Sequence, residues 1–73
     1  MVKKSEAVAE ALEDRARQEV SQEFAPWIDY VFACNLYLTA RNLYQAAGKD
    51  RSALRCHSKA LDCQQYVNTI LVN

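Results

Sequence analysis

One glycine and one proline in 73 residues leave almost nothing from which to build tight turns. A β sandwich or barrel needs turn residues about every 8–12 positions, so their scarcity excludes such a fold and leaves helix as the default. A lone glycine also rules out a glycine-rich phosphate loop. Three cysteines with no paired spacing make no disulfide framework, and unframed thiols fit a reducing compartment. Long apolar runs are missing too. The most apolar stretch, Phe24 to Leu38, is 15 residues long and interrupted by Pro26 and Asp29, against about 20 for a membrane-spanning helix. The charged start lacks the apolar core of a secretory signal, so a cytoplasmic location with no membrane association is expected.

What remains is the composition of a folded chain. Hydrophobic residues make up 51% and charged residues 25%, enough apolar side chain to close a core. The length fits a single small helical domain over residues 1–73. Below roughly 70–80 residues one core rarely supplies more than ~3–5 kcal/mol, and small domains make up the shortfall with disulfides, a metal or a second subunit. Net charge is zero but unevenly spread. Residues 1–32 hold four basic against seven acidic side chains, whereas residues 40–60 hold five basic (Arg41, Lys49, Arg51, Arg55, Lys59) against Asp50. An acidic first segment and a basic tip can attract each other within a chain, between chains, or toward a partner.

Three segments emerge, predicting an all-α fold. Helix A, about 5–23, is rich in Ala, Glu, Arg and Gln, all good helix formers, with Ser5 placed to cap it. Its apolar residues Val8, Leu12, Ala16 and Val20 recur every fourth position, a thin amphipathic stripe. Pro26 interrupts a continuous helix and suits a first helical turn, so helix B is expected over about 26–47. Gly48 stands where a left-handed residue stops a helix. Helix C follows over about 52–71, capped by Asp50 or Ser52, with Asn73 beyond it.

Helices B and C are expected to form an antiparallel hairpin. On B, Ala33, Leu36, Ala40, Leu43 and Ala47 are spaced 3-4-3-4; on C, Ala53, Cys56, Ala60, Cys63, Val67 and Ile70 continue the same alternation. These are heptad seams. Folded back at Gly48, Ala47 faces Ala53, Leu43 faces Cys56, Ala40 faces Ala60, Leu36 faces Cys63 and Ala33 faces Val67.

Helix B carries a second stripe, Trp27, Val31, Cys34 and Leu38, and a row of Tyr30, Tyr37 and Tyr44 every seventh residue. Helix C adds Leu54, Leu61 and Leu71. A two-helix hairpin cannot cover all of these. Either helix A folds back over Trp27, Val31 and Leu38, or the stripe and the tyrosine row form a surface for self-association, a dimer first, or for another protein. Tyr and Trp suit interfaces because they join apolar area to a polar handle, although a tyrosine row at this spacing is more often the edge of a core.

Chemistry finds little support. Cys56 and Cys63 share a helical face but lie two turns apart, about 10 Å along the axis, too far for two ligands at ~2.3 Å from one zinc. His57 points about 100° away from that stripe. The same separation excludes a disulfide between the two. Small buried hydrophobes are the expected role of the thiols. No nucleophile pair or carboxylate pair sits in a cleft, so no enzymatic activity, metal or cofactor is expected.

Arg51, Arg55 and Lys59 recur every fourth residue on helix C, with Arg41 and Lys49 nearby. Such a face can bind structured RNA through its phosphates or an acidic partner, or simply remain solvated; the acidic helix A opposes nucleic acid. In size and outline the chain is similar to co-chaperones of bacterial secretion needles, plasmid RNA-binding hairpins and phage-encoded inhibitors. That resemblance is one of outline, and no residue carries over from it. The leading expectation is a non-enzymatic, oligomeric inhibitor or adaptor that sequesters a larger protein. An RNA-binding hairpin and a structural subunit of a larger assembly are the alternatives.

Overall fold

A computed structural model describes residues 3–72 and contains three helices, α1 (Lys4–Glu19), α2 (Trp27–Ala46) and α3 (Asp50–Val72), with no strand among the described residues. The all-α fold and the α2–α3 hairpin are as expected; Asn73 lies outside the described residues. α1 is shorter than its composition allows. At Val20 the backbone leaves helical geometry (φ −111°, ψ 9°), and Ser21 donates from both its N–H and its hydroxyl to the carbonyl of Gln18. This local bonding competes with the next helical turn and ends α1 four residues before Glu23. Lys3, not Ser5, is the N-cap, and it makes no side-chain cap bond.

The hairpin turn follows the glycine's chemistry closely. Gly48 has φ 75°, its N–H donates to the carbonyl of Gln45 at 3.0 Å, and the Lys49 N–H donates to that of Tyr44 at 2.8 Å. The two bonds complete a Schellman motif, which occupies carbonyls that the end of α2 would otherwise leave unpaired. α3 begins at once, at Asp50, two residues before the expected Ser52.

α2 is the middle element, with α1 and α3 both packed against it. Lys3 Nζ reaches the Ala47 carbonyl at 3.4 Å, while Val20, at the other end of α1, shares a small cavity with Tyr37, Lys59, Asp62 and Cys63. α1 therefore runs antiparallel to α2 and parallel to α3, and it covers only the half of the hairpin nearest the turn. Cα positions extend over 46 × 18 × 13 Å.

The core is made of small residues. Of twelve buried hydrophobic side chains seven are alanine, from Ala9 and Ala16 through Ala33, Ala40 and Ala47 to Ala53 and Ala60, which lets helix axes approach the short end of the ~8–10 Å range. Cys56, Cys63, Val67, Tyr37 and Tyr44 complete it. No Leu, Ile, Phe or Trp among the described residues is buried.

Three details of the expected seams are corrected. Leu36 and Leu43 are only half-buried, and the rows beside the alanines that become fully buried are Tyr37 and Tyr44. The reason is α1: a third helix widens the buried arc of α2, and at Tyr44 it brings a polar partner, Glu13, to the hydroxyl of a buried ring. On α1 the inward residues are Ala9, Glu13 and Ala16, with Leu12 and Val20 half-buried and Val8 exposed. Ile70 is exposed because α1 ends before this level, where Val20 meets Tyr37 and Cys63; nearby, Tyr66 stacks on Tyr30, ring centroids 4.0 Å apart.

Candidate interaction surface

At the turn end, polar groups tie the helices together. Glu13 is 6% exposed and accepts three hydrogen bonds: from the Tyr44 hydroxyl at 2.9 Å, and from Arg55 Nε at 2.7 Å and Nη2 at 2.9 Å. A two-pronged guanidinium bond to a carboxylate is among the stronger charge-assisted contacts. It also holds the Glu13 carboxyl below its usual value, over the opposing effect of burial and with further help from Tyr44. Burial, then the bond to Glu13, pushes the Tyr44 phenol upward, and the Glu13 bond does the same for Arg55. One residue from each helix thus forms a clasp over the three-helix junction.

Of the residues expected on a basic face, Arg55 is therefore occupied, although 47% of its side chain is exposed. Lys49 Nζ lies 3.8 Å from Glu6. Arg41 is half-buried and donates to His57 Nδ1 at 2.9 Å and to Asn42. Arg51 and Lys59 are exposed. Two of these five basic residues, Arg55 and Lys49, thus meet acidic α1 within the chain.

The cysteines behave as small hydrophobes. Cys56 and Cys63 are buried, Cys34 is half-buried, and none is bonded to another. Burial pushes the Cys56 thiol up to about 11 and raises Cys34 and Cys63 as well, so all three remain protonated near neutrality, where a thiol is a poor nucleophile. Among the described residues no group of three His, Cys, Asp or Glu side chains is arranged to hold a metal ion, and no helix is long and apolar enough to cross a membrane.

The other candidate residues divide. Tyr37 and Tyr44, expected on a binding surface, are 3% and 2% exposed and belong to the core. Trp27 is exposed, and Tyr30, Val31, Cys34 and Leu38 are half-buried. Val31, Cys34 and Leu38 line an apolar groove of about 280 Å³ together with Asn35, Gln64 and Val67. Only α2 and α3 contribute to it, so α1 does not lie over this stripe.

Most of the exposed large hydrophobic side chains lie toward the hairpin's open end. Eleven large hydrophobic side chains are exposed, and all but Val8 and Leu54 come from residues 24–32 and 61–72. Phe24, which precedes α2, and Ile28 and Phe32 on it, the last 58% exposed, lie outside the stripes expected on helix B. A signal for two of them exists in the spacing, since Ile28, Phe32 and Leu36 recur every fourth residue. Glu13 was also detectable, as a charge inside the 4-3-4 alternation of Ala9, Glu13, Ala16 and Val20.

Charge is nearly absent from this region. Residues 24–40 and 60–72 contain Asp29 and Asp62 and no other charged side chain. Comparison with known proteins finds no family, no curated sequence and no solved structure that matches this chain.

Proposed function

We propose that the protein is a non-enzymatic interaction module that binds another protein chain through the open end of the α2–α3 hairpin, acting as a small inhibitor or adaptor. The observation behind this reading is the inversion of the usual core. Alanine, cysteine and tyrosine are inside, while every described Leu, Ile, Phe and Trp keeps solvent contact. Single exposed hydrophobes need no explanation, but nine large ones within residues 24–32 and 61–72, where Asp29 and Asp62 are the charges, are the composition of an interaction site. The aromatic side chains Phe24, Trp27, Phe32 and Tyr66 supply rigid anchor groups of the kind that dominate binding energy.

The test is a photo-crosslinking side chain placed at Phe32 in the full-length protein, within the cells that make it. A discrete adduct from position 32, absent when the same group replaces Arg51 at the turn end, is the expected result. Adduct from position 51 with none from position 32 would move the interaction site to the basic tip and overturn the proposal.

A further inference from the structure

We propose that a cavity of about 240 Å³ between α2 and α3, toward the turn, binds a small monocarboxylate with a compact apolar body; this does not depend on the reading of the open end. Arg41, Gln45, Ala53, Leu54 and His57 line the cavity, and its volume lies just below the ~300–1,000 Å³ of drug-sized ligands. Arg41 is the residue that points to an anion. All nine Lys and Arg residues fall within the described residues; eight are exposed, and Arg41 alone is half-buried. Yet Arg41 forms no ion pair with any described residue. The carboxylates of α1 nearest the turn are engaged elsewhere, Glu6 with Lys49 and Glu13 with Arg55. Asp50 stands seven residues before His57, about 10 Å away along α3. A cation drawn out of water is ordinarily matched by an anion, and here the chain supplies none.

The bonds that Arg41 does make fix its guanidinium in place. Nε and Nη2 both donate to Asn42 Oδ1, at 3.2 and 2.9 Å, and Nη1 donates to His57 Nδ1 at 2.9 Å. Three of the five guanidinium N–H groups are thereby used, and one remains on each terminal nitrogen. Because arginine can only donate, His57 Nδ1 accepts, and the ring is the neutral form with its proton on Nε2. The lining therefore combines one full positive charge, neutral donors from His57 and Gln45, and no carboxylate. One charge matches a monoanion, and a planar guanidinium matches the two oxygens of a carboxylate. A phosphate dianion would keep one charge unmatched. Ala53 and Leu54, the latter 67% exposed, form an apolar wall beside the charge. An aliphatic or aromatic body attached to the carboxylate covers that wall, which a bare ion leaves in water.

Titration of the isotope-labelled full chain with benzoate, benzamide and inorganic phosphate, followed through backbone amide chemical shifts, tests the proposal. Benzoate is expected to shift Arg41, Gln45, Leu54 and His57 saturably, with a dissociation constant of about 1–10 mM for so small a ligand. Benzamide, of the same shape but uncharged, should bind more than about tenfold more weakly, and Arg41→Met should weaken benzoate by a similar factor. Equal affinity for benzamide and benzoate would reduce the contact to apolar area alone and overturn the proposal. Unchanged benzoate affinity in Arg41→Met would overturn it too, as would shifts centred on Val31, Cys34 and Leu38. Phosphate that displaces benzoate at an equal or lower concentration overturns the assignment to a carboxylate. No saturable shift up to ~50 mM benzoate, well above the expected constant, removes the site. Should Arg41→Met lose its helicity, the comparison of benzoate with benzamide on the unaltered chain still decides between charge recognition and apolar contact.

Discussion

The two ends of the hairpin are built on opposite principles. The turn end is closed by direction-dependent contacts: the Schellman bonds around Gly48, the Glu13–Tyr44–Arg55 clasp and the weaker approach of Lys49 to Glu6. The open end has a stacked tyrosine pair, Tyr30 and Tyr66, and exposed apolar side chains with few charges. Polar contacts such as the clasp require one geometry and are satisfied inside one chain. Apolar surface is non-directional and gains by being covered with whatever fits. A chain divided in this way keeps its fold at one end and leaves its unmet burial at the other.

Changes at the turn-end half should therefore be expensive to folding, and changes at the open end cheap. The largest loss is expected from Ala40→Leu, which forces three methylene-sized groups into a position with no exposure; about 3 kcal/mol should be lost in a urea unfolding curve. Glu13→Ala should cost about 2 kcal/mol, a figure reduced for the half-exposed Arg55 that water can resolvate. Arg55→Met combined with it should cost much less than the two changes added, which a double-mutant cycle would read directly.

The same clasp should appear in the pH dependence. Because the Glu13 carboxyl is held below its usual 4.5 in the folded chain, its stabilisation is fully present above that value and is lost as pH falls through the lower folded one. Urea midpoints measured from pH 6 down to about pH 3 should decline more steeply in the parent than in Glu13→Gln. Equal slopes would mean that the clasp contributes nothing to folding.

Gly48→Ala meets no neighbouring atom, since nothing lies within 4 Å of the added Cβ. Its cost should thus be the left-handed backbone alone, about 1 kcal/mol. The smallest effect is expected at the open end. Trp27→Glu should shift the unfolding midpoint of the dilute protein by less than about 0.5 kcal/mol. A loss as large as that of Glu13→Ala would erase the contrast between the two ends.

Much of this architecture was legible from spacing. The alanine and cysteine positions of the hairpin, Ala33, Ala40 and Ala47 against Ala53, Cys56, Ala60, Cys63 and Val67, are buried as the heptads imply. Gly48 terminates α2 as a lone glycine should. The assignment of the larger side chains was not legible. Leu36 and Tyr37 are adjacent, as are Leu43 and Tyr44, and each pair straddles the alanine row, so periodicity alone leaves either member free to turn inward. Hydrophobicity favours leucine; the packed chain places tyrosine inside.

The sequence by itself determined three helices, the place of the turn and the row of small residues along which α2 and α3 meet, because these depend on local propensity and on a repeat visible within one helix. Only the tertiary structure decided where α1 lies, which flank of the alanine row is buried, that Arg55 answers Glu13 across 42 residues, and that the remaining apolar surface gathers at one end. Those outcomes depend on which groups from distant segments reach the same junction. A buried carboxylate needs donors from elsewhere in the chain, and the helix that brings it also determines which stretch of the hairpin stays uncovered.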